Sequence, residues 1–142
     1  MIAATIRKEA LGGTMYYVSP YLITVGRVIM SIIFIQAGIS KIGSADTAAY
    51  MASHGIPGAL LPVVIFTEAV GGLCILLGLF TRWAAIALAG FCVLAGLFFH
   101  WQPGDQMQMI NFMKNITIAG GFLVLAGAGP GEFALDNRLF RR

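Results

Sequence analysis

The chain has 142 residues, 58% hydrophobic and only 11% charged, with a formal net charge of +3. A soluble domain carries about 25% charged residues, and a soluble four-helix bundle needs a polar outer face on every helix. This composition cannot supply those faces; it excludes a soluble or nucleic-acid-binding domain and indicates an all-α, integral membrane four-helix transmembrane bundle.

Residues 1–20 read as a cytoplasmic N-terminal segment. It carries Arg7, Lys8 and Glu9, then Gly12-Gly13, with a short surface helix before Gly12. It lacks a short apolar run followed by a cleavage pattern, which argues against a removed signal peptide. Ser19-Pro20 marks a boundary, because proline suits the first turn of a helix. Residues 21–128 form the transmembrane domain. The first span runs from about Tyr21 to Ile42 and contains Arg27, Gln36 and Lys41, with Gly26 and Gly38 offering places for close helix approach. Gly43 to Pro57 is too polar to span. Ser44 is placed to cap a short surface helix over Ala45 to Ser53, with Asp46 in its first turn. His54 reads as a solvated loop residue.

Leu60 to Phe80 is an apolar stretch with one carboxylate, Glu68, near its middle. About 20 helical residues rise roughly 30 Å, the thickness of a hydrocarbon core. Pro62 falls in the first turn, where a missing N–H costs little. The link Thr81-Arg82 is so short that the second and third spans form an antiparallel hairpin. The third span runs from Arg82 or Trp83 to His100-Trp101, with the two tryptophans at the membrane interfaces. A loop with a Pro-Gly turn signal, Gln102 to Gln108, leads to the fourth span, Met109 to Ala128. Met107, Met109 and Met113 read as packing residues. Gly129-Pro130-Gly131 ends the span, and residues 129–142 form a cytoplasmic tail with Arg138, Arg141 and Arg142.

Lysine and arginine in the flanks set the orientation. Arg7, Lys8, Arg82, Arg138, Arg141 and Arg142 fall on one side; Lys41 and Lys114 fall on the other. Both termini are therefore expected in the cytoplasm. On a rise of about 1.5 Å per residue, Glu68 lies about 12 Å below the outer boundary, Gln36 about 9 Å and Lys114 about 6–7 Å. Lys41 and His100 sit near that boundary, and Asn111 is shallow.

An acid in a spanning helix must face protein or water and find a partner. The candidate ligand-binding residues are therefore Glu68, Lys41, His100, Asn111, Lys114, Asn115 and Gln36. They would line a polar pocket open to the outer face, for a small polar or anionic ligand or a quinone head group. The same convergence also reads as a structural network that holds the helices in register. Glu68 is expected to be ionised and paired with Lys114 or Lys41, with His100 and Asn111 completing its shell. Arg27 lies about 9 Å above the inner boundary, where it would snorkel to the cytoplasmic surface or, in a tilted span, meet Glu68 instead. Arg82 reads as an interfacial anchor; Arg27 and Arg82 are additional candidates. Cys74 and Cys92 stand singly in apolar runs, without C-x-x-C or metal-ligand spacing, and read as small buried hydrophobes. No catalytic residue or metal site is indicated.

An ordered set of motifs runs along the chain. It comprises Arg27, Ala37-Gly38-x-x-Lys41, Tyr50-Met51, Gly55-Ile56-Pro57, Glu68-x-x-Gly71-Gly72 and Gly78-x-x-Thr81-Arg82. It continues with His100, Asn111-Phe112-x-Lys114-Asn115, Gly129-Pro130-Gly131 and Leu135-Asp136. The set resembles the DoxX family of small bacterial inner-membrane proteins over about Pro20 to Asp136. The resemblance implies a four-helix membrane domain and carries over Arg27, Lys41, Glu68, Arg82, His100, Asn111, Lys114 and Asn115. It does not imply one activity. The family includes a subunit of an archaeal terminal oxidase related to thiosulfate:quinone oxidoreductase, companions of redox enzymes or thiol-handling proteins, and distant cargo receptors and receptor-assembly factors. Three functions follow as expectations. One is a redox-associated membrane protein that uses a quinone or an oxidoreductase partner; the others are an assembly or scaffold protein and a small-solute carrier. Lipid contact and a homo-oligomer belong to the same expectation.

Overall fold

The structure, a computed structural model, describes residues 2–139, with side chains from residue 20 onward. It is helical throughout, with α1 at Ile2–Ser40, α2 at Ala45–Ser53, α3 at Leu61–Leu77, α4 at Thr81–Ala95, α5 at Gln106–Ala128 and α6 at Leu135–Leu139. Four segments are long and apolar enough to cross a bilayer: Pro20–Ser40, Gly58–Leu77, Thr81–His100 and Gln106–Ala128, with mean hydropathy between 1.4 and 2.3. A membrane core offers no water to backbone N–H and C=O groups, so each crossing closes its hydrogen bonds within a helix.

Two expected boundaries shift. The first apolar span begins at Pro20 as expected, but the helix does not: α1 continues through Gly12-Gly13 and Pro20 without a break. Proline removes a single N–H from the ladder, and glycine lowers helix propensity without forbidding the conformation. Of the charges that set the expected orientation, Arg7, Lys8, Arg141 and Arg142 lie outside the described side chains. The fourth helix starts at Gln106 instead of Met109 because Asp105 caps it. Its Oδ1 accepts from the N–H groups of Met107 at 2.8 Å and Gln108 at 3.1 Å. Such a cap satisfies donors that the first helical turn leaves free.

The spans pack in sequence: α1 lies on α3, α3 on α4, and α4 on α5, while the backbones of α1 and α5 stay apart and meet through side chains. With four crossings, the chain enters and leaves at one end of the bundle and α2 lies at the other; the two are named inner and outer after the orientation expected from the flanking lysines and arginines. The α1–α3 seam is built on glycines. A Cβ added at Gly38 would lie 2.6 Å from the backbone nitrogen of Ala69, and one at Gly72 would lie 3.0 Å from that of Ile35. Small residues of this kind allow helix backbones to approach closely in membranes. The core is apolar, with Ile75, Leu88 and Phe122 at its centre, and Phe34 meets Phe122 edge-on at 5.2 Å. Cys92 is buried in this core and Cys74 is half-buried; both are free thiols, in keeping with packing roles.

The surface helix forms as the capping residue indicated. Ser44 Oγ accepts from the N–H of Thr47 at 3.1 Å, and Asp46 sits in the first turn. His54 lies in the turn after α2, as expected, and is partly exposed, but it also packs. Its Nδ1 lies 2.9 Å from the Tyr50 carbonyl, and its ring contacts Tyr50 and Phe99. Tyr50 also stacks on Phe99 at 5.6 Å, so α2 is fastened to the outer end of the third span. That end is wound wide: Gly96–His100 is a π-turn appended to α4.

The glycine seam yields a paired test. Gly38→Ala should lower thermal stability in detergent by about 1–3 kcal/mol, the usual range for overpacking. Gly90→Ala, with nothing within 4 Å of the added methyl group, should leave the melting temperature within a degree or two, since surface changes fall within about 0.5 kcal/mol.

Candidate functional site

Glu68 lies on the α3 face that packs towards α1 and is buried, with 6% of its surface exposed. Lys41 follows the last turn of α1. Its side chain folds back so that Nζ donates to Glu68 Oε2 at 2.8 Å, to Oε1 at 3.0 Å and to the Ala37 carbonyl at 3.1 Å. Of the two lysines considered from the sequence, Lys41 is the partner. This is the one ion pair among the described residues. Gly38, one turn before Lys41, brings α3 close enough for the contact. An ammonium group has three donors, and all three are engaged.

The pair opens onto a cavity of about 720 Å³ in the outer half of the bundle. All four spans and α2 contribute to it. Its walls are mostly apolar, with Phe34, Met51, Val64, Phe91 and Phe99 among them, and Lys41, Glu68, His100, Asn111, Lys114 and Asn115 also line it. Six of the seven candidate pocket residues therefore surround one space. Gln36 does not. It is exposed and faces away from the cavity. At about 100° per residue, Phe34, Ala37 and Lys41 share one face of α1 and Gln36 falls off it.

The expected shell around Glu68 also needs correction. His100 Nδ1 is 2.8 Å from Gln108 Oε1, across the loop that joins the third and fourth spans. The Asn111 carbonyl accepts from Asn115 Nδ2 at 3.1 Å. Neither His100 nor Asn111 bonds Glu68, whose described side-chain partner is Lys41 alone. Lys114 forms no hydrogen bond or ion pair among the described residues. Asn111, Lys114 and Asn115 reach the cavity because they follow one another within about one turn of α5.

Arg27 neither snorkels nor meets Glu68. It is 2% exposed, and its Nη2 donates to the Phe133 carbonyl at 2.6 Å. Its Nε and Nη1 have no hydrogen-bond partner among the described residues. The chain after Gly131 folds back under the bundle and covers it. The left-handed Gly78 (φ 68°) supplies the space, since a Cβ there would strike Arg27 Nη1 and Ala134. Asp136 then closes the hairpin: Oδ1 accepts from Phe80 N at 2.7 Å, Oδ2 from Thr81 N at 2.9 Å, and its own N–H donates to the Gly78 carbonyl. Arg82 is exposed as expected and also caps α5, donating to the carbonyls of Ala126 at 2.5 Å and Gly127 at 3.0 Å. These two arginines belong to the inner end, far along the helices from the cavity. Residue types alone did not reveal the cavity roles of Tyr50 and Met51 or the inner roles of Phe133 and Asp136. The sign that could have found Asp136 is its place as one of two acids, with Glu132, in a tail that holds three arginines.

Among the described residues, no group of His, Cys, Asp and Glu is arranged to hold a metal. The architecture defines a class: a small multi-pass helical membrane protein with an apolar cavity around one internal ion pair. The chain belongs to the DoxX family, whose profile matches residues 22–101. It is 46% identical to the inner membrane protein YqjF of Escherichia coli (strain K12) over 121 residues, 84% of this chain and 93% of that protein. It is 39% identical to the inner membrane protein YphA of the same organism over 127 residues, 84% of this chain and 91% of that protein. No solved structure matches the chain. The family match takes in Arg27, Lys41, Glu68, Arg82 and His100, while Asn111, Lys114 and Asn115 lie beyond it.

The pairing predicts a specific coupling. Glu68→Gln and Lys41→Met should each lower the amount of folded protein in the membrane more than the double change does, because breaking a buried pair costs about 3–5 kcal/mol by stranding the remaining charge. Glu68→Gln combined with Lys114→Met should give additive losses, since separated sites do not couple. Folded fraction by fluorescence-detected gel filtration measures both cycles.

Proposed function

We propose that this is an inner-membrane protein, both termini cytoplasmic, that holds an amphiphilic small molecule in its outer-half cavity and works beside a membrane oxidoreductase. A quinone is the redox-associated occupant that this reading favours. The observation that carries it is the cavity itself. A volume of about 720 Å³ falls within the roughly 300–1,000 Å³ typical of ligand sites, which are mostly apolar with a few placed polar groups. Phe91, Phe98 and Val64 would receive a ring and its tail, while Lys114 and the side chains of Asn111 and Asn115 offer donors to carbonyl oxygens. The exposure of Ile33, Val63 and Leu94 along the same walls gives an occupant a way in from the lipid. The inner-membrane location is supported by the names of the two E. coli relatives and by the arginines at the inner end.

Native mass spectrometry of gently extracted protein should show a bound small amphiphile, and Ala95→Phe, which projects into the cavity, should lower its occupancy several-fold. An empty protein on a stable protein partner would instead support an assembly role. A reporter fused after Arg142 should be active only on the cytoplasmic side.

A further inference from the structure

Within the cavity, charge is unevenly satisfied. The ionisable residues lining it are Lys41, Glu68, His100 and Lys114. Lys41 and Glu68 neutralise one another, and the lysine has no donor left for a ligand. His100 is held by Gln108. Lys114 remains, two turns into the fourth span: it lines the cavity and is itself exposed, with three donors and no partner among the described residues. The described acids cannot serve it: Asp105 is committed to the α5 cap, Asp136 and Glu132 belong to the inner end, and Asp46 on α2 is outside the cavity lining. A lone cation in a spanning helix is costly and marks a ligand or a path. Beside it, the Asn111 side-chain amide is uncommitted, and Asn115 keeps its oxygen free.

We propose that the cavity takes an anionic amphiphile: a carboxylate or phosphate head group on a single hydrocarbon chain, with the head on Lys114 and Asn111 and the chain among the apolar walls. This rests on the cavity being a binding site and adds the charge of what it binds. Lys114 supplies the charge that the Lys41–Glu68 pair cannot, because an ion pair already closed on itself offers a ligand no net charge. The open, apolar side of the cavity suits a chain that arrives from the bilayer, and a charge-assisted hydrogen bond is stronger than a neutral one.

The test uses the full-length protein in neutral, zwitterionic nanodiscs with four probes: oleate, oleyl phosphate, oleyl alcohol and a short-chain ubiquinone. Binding is read by native mass spectrometry and by the rise in melting temperature. Oleate or oleyl phosphate should bind about tenfold or more tightly than the alcohol, and the order of the two anions identifies the head group. Lys114→Met should bring the anions down to the alcohol's affinity, while Lys114→Arg, which keeps the charge, should preserve the preference. Both variants are compared with wild type for melting temperature without ligand. Equal binding of the anions and the alcohol, or an anion preference that survives Lys114→Met, overturns the proposal while leaving a binding cavity in place. Quinone binding without anion preference does the same and supports the quinone reading alone. No binding of any probe removes the cavity reading as well.

Discussion

The Lys41–Glu68 contact is the constraint that most of the outer half answers to. An acid in a spanning helix has to be neutralised by something that reaches it. Here the cation stands on the next-packed helix, at the point where α1 ends and its side chain is free to turn back. The contact needs α1 and α3 at very short range, and Gly38 and Gly72 provide that range. Once α3 is drawn to α1, α4 must follow α3 because their link is so short, and α5 packs on α4. The remaining seam, between α1 and α5, is left slack. The cavity lies beside that slack seam, under a surface helix pinned by Tyr50, His54 and Phe99.

The two ends of the bundle solve the same problem differently. At the outer end, polar groups surround a space: His100 on Gln108, Asn115 on Asn111, Lys41 on Glu68. At the inner end they are spent on backbone. Arg82 caps α5, Asp136 caps the first N–H groups of α4, and Arg27 binds the Phe133 carbonyl. Helix termini leave donors and acceptors unsatisfied, and these side chains use them up. The inner end is therefore closed over its arginines, and the outer end is hollow.

Much of the architecture was legible because its physics is local. Span length and apolarity fixed the four crossings, Ser44 announced α2, and the depth of Glu68 announced a partner in the outer half. What escaped is what depends on rotation and on distant chain. Depth along a helix follows from counting residues, but Gln36 shares its level with cavity residues and faces elsewhere, because neighbouring positions differ by about 100°. The choice between Lys41 and Lys114 turned on which helix α3 packs against, and no residue count decides that. Arg27 looked free to snorkel because its cover comes from Phe133 and Ala134, over a hundred positions later. The cap at Asp105 was local and still missed: a Pro-Gly turn drew attention to the loop, while the aspartate after it set where the helix began.

The Arg27–Phe133 bond has a consequence for how the molecule is made. Its partners are separated by 106 positions, so the first helix enters the membrane carrying a guanidinium whose acceptor has not yet been synthesised. Until Phe133 emerges, Arg27 lacks this acceptor and must be solvated in another way. In the folded chain Phe133 supplies the acceptor, Gly78 the space, and Asp136 the closure over the hairpin. A nascent chain that stops before Phe133 has every crossing in place and still lacks the means to bury its first charge.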